Sequence, residues 1–465
     1  MSDINELKFV RQVKREINDV SPSFCLAKWM QVTVHLQNGL THSCHHPITH
    51  KIPLEEIAVD PSALHNTQQK KSYRKEMLSG VRPKECHYCW NVEDAHPDNI
   101  SDRVFKSSDS WAYPFLEEVK NQPWDQSINP TYLEVSFGNE CNFRCGYCSP
   151  SISSALMAEQ MKFGTYSMLD GFSVENLKAT GEYPIAKDEF NPYVDAFWKW
   201  WPSLKKDLKV FRITGGEPLL NPSTFKFLEH LKTNPMPDLA LAINSNLGIP
   251  DKTLKRFIED IKFITDNKLV KSFELFTSVD TYGKNAEFIR FGLNYNDYMK
   301  NVRHFLTEVK NANLVFMCTY NAFSVINFNQ YLQEVTELKK EFRNENNWSR
   351  VLLDTPYLKN PVFLSCYILN ETFWRYIEKD LAYLRANSFD EKGSQLYYDH
   401  EISKFERILN WLKGLSENQH RDGNRILFAQ FIEEFCHRKG IKFEDYCPEY
   451  VDFLTSCRNI KAHRS

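Results

Sequence analysis

The pattern of hydrophobic and polar positions changes twice along the chain. Between residue 106 and about residue 365, short apolar runs alternate with longer stretches in which apolar residues recur every three or four positions. Short apolar runs are typical of strands buried on both faces, and the longer period is typical of helices. The pattern before residue 106 has few long apolar runs, and after residue 365 it is helical only. It therefore predicts three regions, 1–105, 106–365 and 366–465.

The middle region contains six predicted strands, each with helical sequence after it. They are "YLEVSF" from 132, "LKVFRIT" from 208, "LALAINS" from 239, "FELFTSV" from 273, "NLVFMCTY" from 313 and "RVLLDTP" from 350. The helices between them begin at capping residues, such as Asn221 before Pro222, and Asp251. Such alternation predicts parallel strands with right-handed crossovers.

The expected fold is therefore α/β, a partial (β/α)6 TIM-like barrel with a small Cys-rich N-terminal domain and a helical C-terminal region. In such folds ligands bind at the carboxyl ends of the strands. The residues that follow each predicted strand are consequently the first candidates for a functional site.

Composition narrows the class of protein. The 465 residues are 42% apolar and 14% aromatic, which is typical of a globular chain, and the net charge of −3 does not indicate a nucleic-acid partner. The N-terminus lacks the apolar core of a signal peptide, and no apolar run is long enough to span a membrane. We therefore expect a cytoplasmic protein without a membrane partner. Its twelve cysteines are better explained as metal ligands than as disulfides.

Three cysteines follow the first strand of the predicted barrel. The segment "CNFRCGYC" places Cys141, Cys145 and Cys148 at C-x3-C-x2-C spacing. Three thiolates in one loop suit three irons of a [4Fe–4S] cluster and leave the fourth iron without a protein ligand. A zinc knuckle would need a fourth Cys or His in this loop, and none follows there. The open iron is the expected working position.

Other strand ends carry groups that suit a charged ligand. The segment "TGGEP" (214–218) follows the second strand, and its glycines let the backbone approach a ligand closely, while Glu217 adds a negative charge for an ammonium group. Ser278 and Asp280 follow the fourth strand and suit a ribose hydroxyl. Further on, Arg290 offers a fork for a carboxylate. Together these groups describe S-adenosylmethionine.

The pair "CNFRCGYC" and "TGGEP" on successive strands resembles the radical S-adenosylmethionine superfamily over residues 130–360. This resemblance implies an enzyme in which the three cysteines hold a catalytic [4Fe–4S] cluster and S-adenosylmethionine chelates the fourth iron. Reductive cleavage would give a 5′-deoxyadenosyl radical that abstracts hydrogen from a substrate. A reducing electron donor such as flavodoxin or ferredoxin is then also expected.

The same resemblance assigns roles to individual residues. It implies that Tyr147 lies against the adenine and that Gly215, Gly216 and Glu217 hold the amino group. The remaining expected cofactor contacts are Pro218, Ser278, Asp280 and Arg290. For Ser278 and Arg290 an ordinary role as polar residues at strand ends stays open.

The N-terminal region carries four further candidate ligands, Cys25, Cys44, Cys86 and Cys89. The first two flank a predicted β-hairpin whose turn, Asn38–Gly39, suits a primed type, and the hairpin would bring them close together. The C-x2-C pair then completes a set of four thiolates. Four thiolates close a metal site, so we expect a structural or electron-carrying role rather than substrate binding.

This layout resembles the SPASM/twitch auxiliary-cluster domains of radical S-adenosylmethionine enzymes, through Gly39-x4-Cys44 and Cys86-x2-Cys89. It departs from them in preceding the barrel instead of following it. The resemblance implies a second, auxiliary [4Fe–4S] cluster in a domain covering residues 1–105. Zinc is the alternative, because mixed Cys/His sets suit tetrahedral zinc. The nearby histidines are His45, His46, His50 and His87.

Relatives with such auxiliary domains mostly modify peptides or proteins, so post-translational modification of a peptide is the leading expectation. A small or nucleotide-derived substrate is the alternative, and a non-catalytic iron–sulfur or zinc scaffold is a third hypothesis. The other cysteines are expected to be core residues. They are Cys318, Cys366, Cys436, Cys447 and Cys457.

Overall fold

The structure is a computed structural model that describes residues 2–96, 98–169, 173–415 and 419–460. The chain divides into two compact units. Unit 1 consists of Met1–Gly138, Gly181–Gly215 and Asp238–Leu241, and unit 2 of Asn139–Thr180, Gly216–Pro237 and Ala242–Ser465.

The strands are named in chain order. They are β1 (Gln31–His35), β2 (Leu40–His42), β3 (His50–Lys51), β4 (Tyr132–Ser136), β5 (Arg144–Cys145), β6 (Val210–Thr214), β7 (Met236–Ser245), β8 (Val270–Ser278), β9 (Arg290–Phe291), β10 (Asn313–Met317) and β11 (Val351–Asp354). Strand β7 contributes residues to both units.

The helices up to β7 are α1 (Ser2–Val20), α2 (Ala27–Met30), α3 (Leu54–Val59), α4 (Gln68–Leu78), α5 (His87–Ala95), α6 (Asp102–Ser108), α7 (Leu116–Lys120), α8 (Ser154–Phe163), α9 (Val174–Ala179), α10 (Pro192–Leu204) and α11 (Pro222–Thr233). Those after β7 are α12 (Asp251–Asp266), α13 (Gly283–Ile289), α14 (Tyr295–Glu308), α15 (Phe328–Glu341), α16 (Glu371–Ala386), α17 (Asp399–Lys413), α18 (Gln419–Lys439) and α19 (Val451–Arg458). Among the described helices, none has both the length and the apolar content needed to span a bilayer.

Unit 1 is built on a sheet in the order β3, β2, β1, β4, β6, followed by the part of β7 that belongs to this unit. The pairs β3–β2 and β2–β1 are antiparallel, whereas β1–β4 and β4–β6 are parallel. The N-terminal hairpin therefore continues the sheet of β4 directly, with Thr33 opposite Glu134.

The predicted hairpin is present, but its turn is not of the primed type. A type I′ turn requires positive φ at both central residues, and only Gly39 of the Asn38–Gly39 pair has one, at 66°. The carbonyl of His35 accepts hydrogen bonds from the N–H groups of both turn residues. The ring of Tyr193 lies where a Cβ on Gly39 would stand, 2.0 Å from Tyr193 Cζ. Glycine is thus required by both backbone conformation and space.

Unit 2 continues the alternation of strands and helices. Its sheet has the order β7, β8, β10, β11, and the pairs β8–β10 and β10–β11 are parallel. All six strands predicted for the middle region exist as β4, β6, β7, β8, β10 and β11. The predicted α/β class with parallel strands is confirmed. The predicted domain boundaries near residues 105 and 365 stay a prediction.

Of the two predicted helix caps, Asn221 is confirmed and Asp251 is wrong. Asn221 caps α11, because its side chain accepts a hydrogen bond from the N–H of Ser223. Asp251 is not a cap: α12 starts at this residue, and the cap position is occupied by Pro250, whose side chain makes no such bond. The last part of the chain is helical, as predicted, in α16 to α19.

A buried ion pair joins β11 to the helices that cover it. Lys339 of α15 donates to Glu401 of α17 at 2.8 Å, and both side chains are fully buried. Glu401 also accepts the N–H groups of Leu353 at 2.6 Å and Tyr398 at 2.7 Å. Lys339 additionally donates to the carbonyl of Val351 at 3.0 Å. The pair therefore fixes α15, α17 and β11 to one another.

Replacing Lys339 by Met should lower the free energy of unfolding by about 3 kcal/mol, because it leaves the Glu401 carboxylate buried without its cation. Urea denaturation followed by circular dichroism measures this change. Lys340→Met is the matched control, since Lys340 pairs with Glu337 at the surface and exposed pairs contribute little. Equal effects of the two substitutions would contradict a stabilising role of the buried pair.

Candidate active site

The loop with the three central cysteines is held in unit 2 by backbone hydrogen bonds. The N–H of Cys141 donates to Ser154 Oγ at 3.1 Å, and the N–H of Cys148 donates to the carbonyl of Cys145 at 3.1 Å. Strand β5 pairs with β9 in antiparallel register, so that Cys145 lies opposite Arg290. The next residue, Gly146, donates from its N–H to the carbonyl of Ile289 at 2.8 Å.

These bonds bring the three thiols together. Burial raises the pKa of Cys148 to about 12 and that of Cys145 further, and the neighbouring thiols of the same loop raise both. Cys141 and Cys148 are half-buried, while Cys145 is buried. The structure therefore brings all three predicted ligands of the catalytic cluster into one loop that is partly open to solvent.

The glycine pair after β6 lies against backbone. In unit 2, a Cβ on Gly216 would stand 2.4 Å from the carbonyl oxygen of Glu140 and 2.6 Å from that of Ile152. The N–H of Glu217 donates to the same Glu140 oxygen at 2.6 Å. In unit 1, Gly215 has a φ of 119° and lies beside Ser136. These glycines thus lie close to the segment that leads into the cysteine loop, and their predicted close approach to a ligand stays a prediction.

Glu217 is buried, with 1% of its surface exposed. Its carboxylate accepts hydrogen bonds from Ser245 Oγ at 2.9 Å, from the N–H of Asn246 at 2.6 Å and from the N–H of Leu219 at 3.0 Å. Burial raises the pKa of Glu217 to about 7, and the three donors oppose this rise. The side chain therefore ties the end of β7 to the motif after β6. Its predicted contact with an ammonium group stays a prediction, and Pro218, which follows it, is buried at the start of a short 3-10 helix.

Asp280 binds two other predicted site residues, Tyr147 and Arg290. It is fully buried and accepts hydrogen bonds from Tyr147 Oη at 2.6 Å, from Arg290 Nη2 at 2.9 Å and from the N–H of Thr319 at 3.1 Å. The guanidinium of Arg290 also lies over the ring of Tyr147, 5.6 Å from its centre. Burial raises the pKa of Tyr147 well above its usual value, so its hydroxyl keeps the proton that it donates.

Asp280 was expected to bind a ribose hydroxyl of the cofactor and Arg290 its carboxylate, but in the structure the two side chains bind each other. Arg290 Nε is buried and has no hydrogen-bond partner among the described residues, so one donor of its fork is still available. Ser278, at the end of β8, is half-buried and lies opposite Met317. These ligand contacts stay predictions.

The residues present fit a cluster with an open iron. Three thiols share one loop, a buried guanidinium lies opposite Cys145, and one of its N–H groups lacks a partner. No described group of three or more His, Cys, Asp or Glu side chains is arranged to hold a single metal ion. The three thiols of the loop are the type of donor that an iron–sulfur cluster uses.

A buried carboxylate that sequence reasoning missed ties this loop to the C-terminal helices. The side chain of Glu159 in α8 is 1% exposed and accepts from Tyr166 Oη at 2.8 Å and from Arg144 Nη1 at 3.3 Å. It also forms an ion pair with Lys439, the last residue of α18, whose side chain is fully buried. Arg144 precedes Cys145, so α18 contributes to the position of the cysteine loop.

Other missed residues follow strands. Ser245 and Asn246 at the end of β7 bind Glu217, and Thr319 and Asn321 after β10 bind Asp280. Polar residues directly after predicted strands were the available signal, used for β4, β6 and β8 but not for β7 and β10.

The four N-terminal thiols line one cavity in unit 1. Cys25, Cys86 and Cys89 are buried and Cys44 is half-buried. Burial raises the pKa of Cys25 and Cys89 to about 12 and that of Cys86 to about 11. Three basic residues line the same cavity and can balance thiolate charge. They are Lys28, Arg103 and Lys106.

The nearby histidines have other partners. His46 lines the cavity, but its Nε2 lies 2.6 Å from Asp102 Oδ2, and its ring stacks on Tyr88 with centres 3.7 Å apart. His50 bonds to Thr67 Oγ1 at 3.0 Å. His46 and His50 are thus bound to other residues, whereas the four thiols share the cavity with Lys28, Arg103 and Lys106.

No family model matches the chain. Among curated proteins it is similar to GTP 3′,8-cyclases. The relative from Campylobacter jejuni subsp. doylei is 30% identical over 139 residues, which are 30% of this chain and 32% of the relative. The relative from Sulfurimonas denitrificans is 25% identical over 206 residues, 43% of this chain and 51% of the relative. The chain thus spans about a third to a half of the curated relatives that it matches.

Solved structures also align with the chain. One is described as native anSMEcpe with bound AdoMet, with 15% identity and a TM-score of 0.35 over 56% of this chain and 61% of that one. Another is Streptococcus suis SuiB bound to precursor peptide SuiA, with 11% identity and a TM-score of 0.38 over 83% and 75% of the two chains. TM-scores this low do not establish a shared fold.

Gly216→Ala should disrupt the segment around the cysteine loop, because the new Cβ would overlap the carbonyl oxygens of Glu140 and Ile152, which are backbone atoms. We expect a loss of at least about 2 kcal/mol of stability, typical of overpacking. Thermal unfolding measures it. Gly423→Ala is the control, since a Cβ there meets no atom within 4 Å. A Gly216→Ala protein as stable as the control would contradict the close approach.

The raised pKa of Glu217 predicts a pH dependence of stability. Between the ordinary glutamate pKa of 4.5 and about 7, the folded chain binds a proton that the unfolded chain has lost. The Glu217 contribution to stability is therefore lost as pH rises through this window. Glu217→Gln does not titrate, so the melting temperature of the unchanged protein minus that of the variant should fall between pH 5 and pH 7. A constant or growing difference would contradict the burial of a neutral carboxyl.

Proposed function

Because this chain belongs to the radical S-adenosylmethionine superfamily of enzymes, we propose that it cleaves S-adenosylmethionine at a cluster held by Cys141, Cys145 and Cys148. The observation that carries this proposal is the gathering of three thiols, without a fourth in their loop, beside a buried arginine with an unused donor. When bound, the [4Fe–4S] cluster supplies the electron that splits the sulfonium and yields a 5′-deoxyadenosyl radical, which takes hydrogen from the substrate.

The chain's own residues position and enclose the site. Asp280 fixes the hydroxyl of Tyr147 and the fork of Arg290, so that both side chains are held before a ligand arrives. Glu217 fixes the segment after β6 in the same way through the end of β7. Such prior organisation lowers the cost of ordering the site on binding. Tyr147 as the adenine contact and Ser278 as a ribose contact are part of this proposal.

We propose that the four N-terminal thiols hold a second, auxiliary [4Fe–4S] cluster. The cavity that they share, and the basic residues Lys28, Arg103 and Lys106 around it, support this assignment. Four protein ligands leave no open iron, so the group would carry electrons or stabilise residues 1–105. Zinc remains the alternative for this cavity alone.

The proposed substrate is a peptide, because the N-terminal region resembles the auxiliary-cluster domains of peptide-modifying relatives. The names of the curated relatives favour a second candidate, a nucleotide such as GTP. A non-catalytic scaffold is disfavoured, since it has no need for the tightly packed Gly216 and Glu217 segment.

The test is anaerobic reconstitution with iron and sulfide, followed by dithionite and S-adenosylmethionine. We expect 5′-deoxyadenosine from the unchanged protein and none from Cys145→Ala, detected by liquid chromatography with mass spectrometry. Cys436→Ala is the matched control, since Cys436 is half-buried on α18 outside both thiol sets. Fully reconstituted protein that yields no 5′-deoxyadenosine would support the scaffold.

Metal analysis of the same preparations distinguishes an iron–sulfur cluster from zinc in the N-terminal cavity. Two clusters require about eight irons per chain, and Cys86→Ala should reduce them to about four. About four irons and one zinc in the unchanged protein would support the mixed assignment. A new product formed from added GTP would favour the nucleotide candidate over the peptide.

A further inference from the structure

A row of aromatic rings follows the last parallel strand of unit 2. Strand β11 ends at Asp354, and the ring of Tyr357 stacks on Trp411 of α17 with centres 4.7 Å apart at 24°. Trp411 also lies next to Tyr367, with ring centres 6.3 Å apart at 36°. The guanidinium of Arg421, in α18, lies 5.2 Å from the centre of the Tyr367 ring. All three rings are half-buried, so the row is partly open to solvent, and Arg421 lies at its Tyr367 end.

Arg421 is 7% exposed, yet two of its guanidinium nitrogens are unused. Both Nε and Nη2 are buried and have no hydrogen-bond partner among the residues that the structure describes. A buried donor without an acceptor destabilises the folded chain, and a charged donor does so more strongly. Native structures rarely keep such a group unless a ligand, an ion or water completes it. The aromatic ring of Tyr367 compensates only part of this cost.

The two unused nitrogens have a specific geometry. Nε and Nη2 form one side of the planar guanidinium, and two parallel N–H groups on that side match the two oxygens of a carboxylate. We infer that Arg421, with Tyr357, Tyr367 and Trp411, binds a carboxylate of the substrate. The inference rests on the proposed function, in that it makes an acidic peptide the substrate class.

The position of the row supports a role at the substrate end of the fold. Tyr357 pairs with Tyr320 beyond the carboxyl ends of β11 and β10. Thr319, next to Tyr320, donates to Asp280, which binds Tyr147 of the cysteine loop. Carboxyl ends of parallel strands are where such folds bind ligands. Lys359, whose Nζ lies 5.6 Å from the centre of the Tyr357 ring, adds a second positive charge near the row.

Peptide chemistry explains the rings better than a free anion does. Half-buried Tyr and Trp rings present apolar faces with polar edges, which suit the apolar parts and amide groups of a peptide next to its acidic side chain. A phosphate bound by Arg421 would use the cation but not the row. Phosphate is therefore the competing outcome that the experiment must separate.

The test measures binding without any turnover. N-acetyl-L-glutamate, N-acetyl-L-glutamine and inorganic phosphate are added separately to the anaerobically prepared protein, and the melting temperature is followed. A ligand that binds only the folded chain raises it. We expect a rise with N-acetyl-L-glutamate, a much smaller one with the neutral amide, and loss of the glutamate effect in Arg421→Gln. Arg407→Gln, which removes an exposed arginine of α17, is the matched control. This variant should still show the rise in melting temperature with N-acetyl-L-glutamate.

Two further variants keep the inference falsifiable if Arg421→Gln does not fold. Arg421→Lys keeps the charge without the fork and should weaken glutamate binding about tenfold. Arg421→Met removes the uncompensated donors, so the ligand-free variant should melt at a higher temperature than the unchanged protein.

Several results would overturn the inference. They are a glutamate effect that survives in Arg421→Gln, a rise with phosphate but not with glutamate, equal rises with glutamate and glutamine, or a ligand-free Arg421→Met that melts lower. The outcome is independent of cleavage chemistry. If 5′-deoxyadenosine never forms while glutamate binding requires Arg421, the proposed reaction fails and this site stands.

Discussion

The buried carboxylate of Asp280 is the constraint on which the candidate active site depends. It is shielded completely from solvent and binds the hydroxyl of Tyr147, the guanidinium of Arg290 and the backbone after β10. An isolated carboxylate in such a place would be costly, so these donors have to be present together. Because Arg290 also pairs with Cys145 through the backbone, satisfying Asp280 fixes the cysteine loop to the ends of β8 and β10.

The same principle recurs around the loop. Glu217 satisfies its carboxylate with donors from the end of β7, and Glu159 does so with Arg144, Tyr166 and Lys439. Each buried acid thus joins segments that are distant in sequence, and each has partners for its oxygens. Arg421, like Arg290 through its Nε, instead has buried donors that lack a partner among the described residues. Such donors are the positions at which we infer a partner from outside the chain.

Local patterns allowed much of the fold to be predicted. The six apolar runs became strands because burial on both faces demands apolar side chains at every position, a signal that short segments carry by themselves. The turn type was wrong, since Asn38 does not adopt positive φ and only Gly39 does. Asp251 was wrong as a cap because Pro250, which has no side-chain acceptor, already occupies that position.

Partners distant in sequence were not predictable in this way. The sequence indicated the N-terminal hairpin, but not that β1 would lie parallel to β4, because a strand's pattern does not specify its neighbour. Likewise nothing near Glu159 indicates Lys439, which is 280 positions away. Short motifs did single out the three cysteines and the glycine pair as candidates, since their spacing by itself indicates the expected chemistry.

This contrast bears on the substrate. Similarity to GTP 3′,8-cyclases covers 30% to 43% of the chain in the relatives from Campylobacter and Sulfurimonas, and the motifs that indicate the reaction need no more than that. The row from Tyr357 to Arg421 lies instead in the segment after β11 and in the C-terminal helices. We found no sequence motif there that indicates a ligand. In our proposal, cleavage chemistry and substrate choice therefore rest on different residues. The buried acids Asp280, Glu217 and Glu159 position the proposed site of cleavage, and Arg421 is proposed to select the substrate.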